Sequence, residues 1–417
     1  MKKPLHVVVL ADALGFPHGM AATSRVRLLS LALVERGHQV TVLSTRVTDR
    51  PPVLHNEAAS GQWRGVRFIY TTGTSVRHSN FWIRRTVEVK GVVMAAVWLR
   101  RFKRSSGVDC VYLWADVMRR NLRRAGFELL LRSLRIPWVV ELNELPWTLR
   151  SDCSLIEART SPLSGAAGAV CISAFLERWA RDWSAQHLRP LEVRRIPIVV
   201  DMAEFPEPKP AYSEPLRVLY AADIGYVGEL EMVLGAMEIV WRRRPDCELI
   251  LTGWDKGEPG ARNRLARIGA VARPGNVVVG GRLPRSDLLE LYQASAALLA
   301  PLTDTPRSRA RFPTKIGEYL ASGRPLVTTN IGEVGRVFAG GTTAYVADRA
   351  DSESFAHAIL RALDDGEDPS IRAQRSRSLS RESFDYSQWG ESLEALFELC
   401  SKAQSGAHRR TCCVEDH

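Results

Sequence analysis

The sequence predicts an α/β protein of two doubly wound domains facing an interdomain cleft. Three observations carry this: a βαβ signature at the start, a polar break at residues 202–215, and a restart of the same pattern from residue 216. At 417 residues the chain exceeds one ordinary core, since domains run to ~100–200 residues.

The opening signature is read in order. Leu5–Leu10 is a short, β-branched, apolar run, as a strand buried on both faces should be. A turn-rich loop with Gly15, Pro17 and Gly19 follows. Ser24–Arg36 then places Val26, Leu29, Ala32 and Leu33 at helical spacing, and Gly37 stops the helix. Val40–Leu43 is the next strand. A right-handed crossover sets the Gly19 loop at the strand's carboxyl end, where doubly wound sheets bind ligands.

Further strands are expected at Val66–Tyr70, Val108–Leu113, Trp138–Leu142, Ala169–Ile172 and Val193–Ile198. Residues 202–215 are rich in Pro, Glu and Lys and read as a linker. Beyond them come strands Leu216–Tyr220, Glu248–Leu251, Val277–Val279, Ala297–Ala300 and Pro325–Thr328. The helices between them run through Trp241, from Asp287, and from Pro313 to Ser322. The expected domains are 1–201 and 216–383, with a closing segment at 384–402 and a disordered tail at 403–417.

Composition narrows the function classes. The first apolar run is too short and too interrupted for a secretory leader, and Val92–Leu99 falls far short of the ~20 residues that span a bilayer. No Cys-x-x-Cys pair supports zinc, and seven scattered cysteines suit reduced thiols in a cytoplasmic protein. No Gly-x-Gly-x-x-Gly opens either domain and no Walker A lysine motif is present, which argues against a dinucleotide or a P-loop nucleotide. The net charge is +11, and no nucleic-acid recognition module accompanies it, so nucleic acid is not an expected partner. Much of the excess lies in Arg84, Arg85, Lys90, Arg100, Arg101, Lys103, Arg104, Arg119, Arg120, Arg123, Arg124, Arg132 and Arg135. Phe81, Trp82, Val92, Val93, Val97, Trp98 and Phe102 interleave with them. That mixture suits peripheral contact with an anionic membrane face, and equally a core helix with solvated flanks.

The most informative stretch is Arg311–Val327. Pro313 starts a helix, Gly323 ends it, and a buried strand follows at once. Lys315 and Glu318 share one helix face near its positive end. A cation with free helical N–H groups suits phosphate, and a carboxylate one turn deeper can accept hydrogen bonds from ribose hydroxyls.

That run resembles the nucleotide-binding segment of glycosyltransferase family 4, whose members have the GT-B fold of two Rossmann-like domains, retain anomeric configuration and use no metal. Pro17 and Gly19 through Arg36-Gly37-His38-Gln39-Val40 are similar to the family's first loop and helix end. Cys171-Ile172-Ser173, Ile196-Pro197 to Asp201 and Phe205, Gly253, and Gly280 to Leu283 with Leu288 and Tyr292 agree in kind. Phe384–Leu399 resembles the family's closing segment, whose helix crosses back to the first domain. The look is nearest to the fucosamine-transferase-like branch of bacterial surface polysaccharide synthesis.

The resemblance implies a nucleotide diphosphate sugar as co-substrate, with UDP as the expected carrier and no further cofactor. It gives Glu318 the ribose and Lys315 the leaving phosphates, as the catalytic pair. Gly19, Gly225, Arg282 and Leu283 complete the expected nucleotide-sugar site. The expected acceptor is a glycan or a polyprenyl-linked saccharide, reached from the cytoplasmic face. His18, Asp116, Glu141, Asn143 and Glu144, at loop and strand ends of the first domain, are its candidate contacts; capping or a buried hydrogen-bond network explains Glu141, Asn143 and Glu144 equally well, and His18 reads equally as an exposed loop residue. The chain departs from the family at Ala310, where a Glu is common, and at Gly228-Glu229, where Lys-Gly is common. An Arg is also missing from Ala221-Ala222-Asp223, so Lys315, Arg309, Arg311 or Arg282 must supply the phosphate-neutralising charge. The alternatives are a sugar-nucleotide 2-epimerase-like isomerase and a catalytically degenerate GT-B scaffold.

Overall fold

A computed structural model describes residues 3–12, 14–51, 54–105, 107–118, 121–154, 160–208, 215–271 and 275–411, with side chains of the last helix described to Lys402. Arg119 and Arg120 of the basic set, linker residues 209–214 and tail residues 412–417 lie outside the described residues. The chain divides into two units, Met1–Val199 with Tyr386–His417, and Val200–Asp385.

The first unit contains β1 (His6–Ala11), α1 (Ala21–Val34), β2 (Gln39–Ser44), β3 (Ser60–Trp63), β4 (Val66–Tyr70), α2 (Phe81–Ser105), β5 (Cys110–Trp114) and α3 (Leu122–Ser133). It continues with β6 (Trp138–Leu142), β7 (Gly168–Cys171), α4 (Ala174–Gln186) and β8 (Glu192–Arg195). Its sheet runs β3-β4-β2-β1-β5-β6-β7-β8. Every pairing is parallel except β3 with β4. The order reverses between β1 and β5, and a crevice for ligands opens at such a switch point. β3 was not expected from the sequence: three of its four residues are exposed, so Ser60–Trp63 shows no apolar run.

The second unit contains β9 (Arg217–Ala221), α5 (Val227–Arg243), β10 (Glu248–Thr252), α6 (Ala261–Val271), β11 (Val277–Gly281), α7 (Arg285–Ala294) and β12 (Ala297–Ala300). α8 (Pro306–Ala310), α9 (Lys315–Ser322), β13 (Leu326–Thr329), α10 (Gly332–Phe338), β14 (Tyr345–Ala347), α11 (Ser352–Asp364) and α12 (Pro369–Phe384) complete it. Its sheet is parallel in the order β11-β10-β9-β12-β13-β14, with the switch between β9 and β12.

Each unit has its own core. Val7, Val9, Val40, Val42 and Val139 meet Val26, Leu29 and Leu33 of α1 in the first. The final helix α13 (Gly390–Thr411) packs Leu393, Leu396 and Phe397 into that same core, which returns the chain's end to the first unit. Arg36 reinforces the return by donating to Glu394 at 2.5 Å. The tail expected to be disordered from Ala403 runs on as helix to Thr411. In the second unit Val218, Leu249, Leu299 and Val327 pack against Leu230, Val233 and Met237 of α5 and Phe355 and Ile359 of α11. Among the described residues no helix is long and apolar enough to cross a membrane.

Helix α2 has a buried stripe and an exposed apolar face. Gly91, Ala95, Leu99 and Phe102 form its buried stripe. Trp82 is 76% exposed, and Phe81, Val93 and Val97 also face outward.

Candidate functional site

The second unit's site is built around the first turn of α9. Ile316, Gly317, Leu320 and Ala321 are buried, which turns Lys315 and Glu318 outward from the helix's inner face. Gly323, at φ +73°, closes the helix, and its N–H donates to the Leu320 carbonyl at 3.0 Å. The backbone differs from expectation at the start. Ile316 N–H donates to Pro313 O at 3.1 Å and Gly317 N–H to Thr314 O at 3.2 Å, so these groups are spent on a tight turn rather than free.

Lys315 reaches the carboxyl end of β9, where its ammonium donates to the carbonyl of Ala221. Burial pushes its pKa down to about 8, against the opposing pull of Glu318 and Asp223. No carboxylate among the described residues forms an ion pair with it. Its charge therefore sits, without a carboxylate partner, at the switch between β9 and β12.

Glu318 is held from two sides. Arg285 Nη1 donates to one of its oxygens at 2.8 Å and the Tyr292 hydroxyl to the other at 2.8 Å. Arg285 also forks to Glu204 at 2.9 Å. Burial opposes the charge on Arg285, but Glu318 and Glu204 raise its pKa above the ordinary arginine value. Sequence reading noted Tyr292 only as a point of resemblance and missed Arg285 and Glu204. Their separations from Glu318 in the chain leave no local signal.

The loop after β9 is held by Arg264, which the sequence did not single out, and by two glycines that it did. Arg264 of α6 is 4% exposed and donates to the carbonyls of Ile224 at 2.8 Å and Tyr226 at 3.2 Å. Gly225 donates its N–H to Asp223 Oδ1 at 2.9 Å. Gly253 follows β10 at φ +103°, and a Cβ there would lie 2.7 Å from Ala222 O, so glycine is needed for the two loops to touch.

The other expected cations are paired. Arg282 donates to both oxygens of Glu258, at 2.9 and 3.1 Å, while its backbone N–H bonds Asp255. Arg309 pairs with exposed Asp304. Arg311 pairs with buried Glu229 at 2.7 Å, and Ala310 is fully buried beside it. Leu283 lies half-exposed in the loop before α7.

In the first unit, His18 is exposed, and its backbone exchanges hydrogen bonds with the Asn56 amide at 2.9 Å each way. Burial first, then Arg27 and His55, lower its pKa. Gly19 has a local steric reason: a Cβ would lie 2.2 Å from Thr23 Oγ1, which itself bonds Gly15 O. Asp116 is exposed and caps its own turn through Met118 N at 2.8 Å.

Of the two readings of Glu141, its surroundings are those of a buried hydrogen-bond network. It is 2% exposed, takes Arg25 Nε at 2.7 Å and the Tyr112 hydroxyl, and faces no solvent. Arg25 Nη1 and Nη2 donate to the carbonyls of Pro197 and Ile196. Burial raises the Glu141 pKa, opposed by Arg25. The group ties α1, β5, β6 and the end of the β8 segment together. Asn143 and Glu144, just beyond, are half-exposed at the carboxyl edge. The structure thus gathers Lys315, Glu318 and Arg282 around one edge of the second sheet, and His18, Asp116, Asn143 and Glu144 around the corresponding edge of the first.

Among the described residues no three His, Cys, Asp or Glu side chains gather as metal ligands.

Residues 215–365 match the family described as "Glycosyl transferases group 1". The chain is a glycosyltransferase. No curated protein sequence matches it. Solved structures do. A sucrose-phosphate synthase from Thermosynechococcus elongatus is 15% identical with a TM-score of 0.67, over 98% of this chain and 99% of that one. The Anabaena protein HepE, solved in complex with UDP and glucose, is 13% identical with a TM-score of 0.65, over 94% and 99%. An α,α-trehalose 6-phosphate synthase from Burkholderia multivorans is 15% identical with a TM-score of 0.64, over 96% and 100%. At these identities the likeness shows the fold, and it places both units of this glycosyltransferase in the GT-B class of two Rossmann-like domains.

Proposed function

We propose that this glycosyltransferase moves a hexose-type sugar from a UDP-linked donor held by the second unit to a glycan or polyprenyl-linked saccharide held by the first. The carrying observation is the pair on α9: an ammonium without a carboxylate partner at the β9–β12 switch, one turn from a carboxylate fixed by Arg285 and Tyr292. As the bond from the anomeric carbon to the diphosphate breaks, negative charge grows on the leaving oxygens. Lys315 stabilises that charge from a fixed position. Glu318, with both oxygens already oriented, keeps lone pairs for ribose hydroxyls. The similar Anabaena protein HepE was solved in complex with UDP, with and without glucose, which supports UDP as the carrier. Metal-independent transfer with retention, a place in the fucosamine-transferase-like branch of family 4, a role in surface polysaccharide synthesis and a cytoplasmic site peripheral to the membrane extend the same reading. Outward-facing Phe81 and Trp82 beside Arg84 and Arg85 support the membrane contact.

The test is a thermal-shift screen of the protein against UDP, GDP, TDP and ADP, because a ligand that binds only the folded state raises the melting temperature. A shift with UDP alone is expected. No shift with any of the four would favour the degenerate scaffold. Calorimetry then checks Glu318→Ala, for which UDP affinity should fall by ~1.5–3 kcal/mol as a charge-assisted hydrogen bond is lost. Unchanged affinity would remove Glu318 from the site.

A further inference from the structure

We infer that the carboxyl edge of the first unit's sheet is a binding site for a phosphate- or diphosphate-bearing ligand, gripped by Arg46, Arg77, Arg84 and Arg123. Three stretches of the chain deliver these side chains, around residues 46, 77–84 and 123. Arg46 follows β2, Arg77 lies beyond β4, Arg84 is in the first turns of α2, and Arg123 opens α3 after β5. Arg123 reaches Asp12 at the end of β1, beside the β1–β5 switch where a doubly wound sheet leaves its ligand crevice; Arg46 shares Glu88 with it, and the Arg77 N–H donates to Asp49 O at 2.8 Å in the loop after β2.

The countercharge there is overdrawn. Glu88 alone meets three guanidiniums, with Arg85 at 3.0 Å, Arg123 at 3.3 Å and Arg46 at 3.6 Å. Asp12 at the end of β1 takes Thr45 Oγ1 at 2.9 Å besides Arg123 at 3.4 Å. The Asp49 carboxylate is consumed by the backbone N–H groups of His55 and Asn56 and by the Asn56 amide. Arg50, Arg77 and Arg84 form no ion pair with any carboxylate among the described residues. Arg84 is the largest influence lowering the Arg77 pKa, ahead of burial and Arg50, a sign of mutual repulsion at a solvated surface.

Crowded arginines without carboxylates are unfavourable in a resting protein, and a polyanion with several acceptor oxygens relieves them. The planar guanidinium fork matches phosphate oxygens in pairs, which a diffuse ammonium does not. Asp12 and Glu88 hold Arg123 in place, and Glu88 does the same for Arg46. The remaining side chains can turn toward the ligand without breaking an ion pair. As an anion site this stands on its own geometry. As the acceptor's anchor it rests on the transferase reading, and it makes the acceptor a phosphorylated or diphosphate-linked saccharide.

Hydrogen exchange on the full chain separates the two claims. Inorganic pyrophosphate and farnesyl diphosphate are the probes, each tested with the unaltered protein and with Arg77→Ser/Arg84→Ser. Slowed exchange at residues 45–50 and 74–88 by either probe is expected, with about a tenfold higher concentration needed in the variant. Stronger protection by farnesyl diphosphate assigns a prenyl-linked ligand, and equal protection assigns a soluble phosphorylated one. Protection confined to residues 221–226 and 282–318 would overturn the site while leaving the donor reading intact. So would protection that the variant keeps unchanged, or none with either probe. Arg46→Gln provides the same comparison should the double variant not fold.

Discussion

The two carboxyl edges of this protein handle arginine in opposite ways. At the second unit's edge Arg282, Arg285, Arg309 and Arg311 each have a carboxylate partner, whereas Lys315 pairs with no carboxylate among the described residues. In the first unit Glu88 is shared by three arginines, while Arg50, Arg77 and Arg84 pair with no carboxylate among the described residues. The second edge is therefore pre-organised: its charges are already oriented, and a ligand adds to a finished network. The first edge is a field whose repulsion a ligand relieves. Positive charge in a sequence does not distinguish these cases, because the distinction depends on where the carboxylates fall in space.

The largest expected effect sets the scale for a fully satisfied arginine. Arg25→Met leaves Glu141 buried without its cation, which should cost ~3–5 kcal/mol and lower the thermal midpoint accordingly. Arg25→Met/Glu141→Met should recover most of that loss. If Arg25→Met melts like the unaltered protein, burial and pairing do not have the energetic weight assigned to them here.

Next comes the pH dependence of the second edge. The Lys315 pKa is lowered to about 8, so its ammonium is present below that pH and lost as pH rises through it. An anionic ligand favours the charged form, and UDP affinity should fall by roughly tenfold on going well above pH 8. In Lys315→Met that fall should vanish, with the affinity low throughout. A titration that is flat for both proteins would show that the diphosphate does not meet Lys315.

The smallest effect sharpens the first edge. Glu88→Gln removes the shared countercharge, so pyrophosphate affinity at that edge should rise by roughly two- to fivefold, the scale of an exposed ion pair. A decrease would mean that Glu88 holds the arginines in place more than it competes with the ligand. Both responses should shrink in high salt.

Much of the scaffold was legible before any coordinates. Val66–Tyr70, Trp138–Leu142 and Ala297–Ala300 form strands with the expected bounds, because buried parallel strands are apolar throughout. β3 and α6 were missed, since exposed or mixed-polarity elements leave weak periodicity. At the site, Lys315 and Glu318 could be found because one helical turn joins them. Glu141 was open to two readings, acceptor contact or buried network, because a carboxylate at a strand's end reads the same whether it meets solvent or a buried arginine.

By itself, then, the sequence determined what short-range pattern can encode. It set the alternation of strands and helices in two sets, the glycines at Gly253 and Gly323 where the backbone needs positive φ, and the Lys315–Glu318 face. Tertiary structure alone decided which charges are satisfied. Arg285 meets Glu204 and Glu318, Arg311 meets Glu229, Arg25 meets Glu141, and Glu88 is divided among its arginines. Coulomb energy depends on separation in space and on local desolvation, and neither is set by distance along the chain.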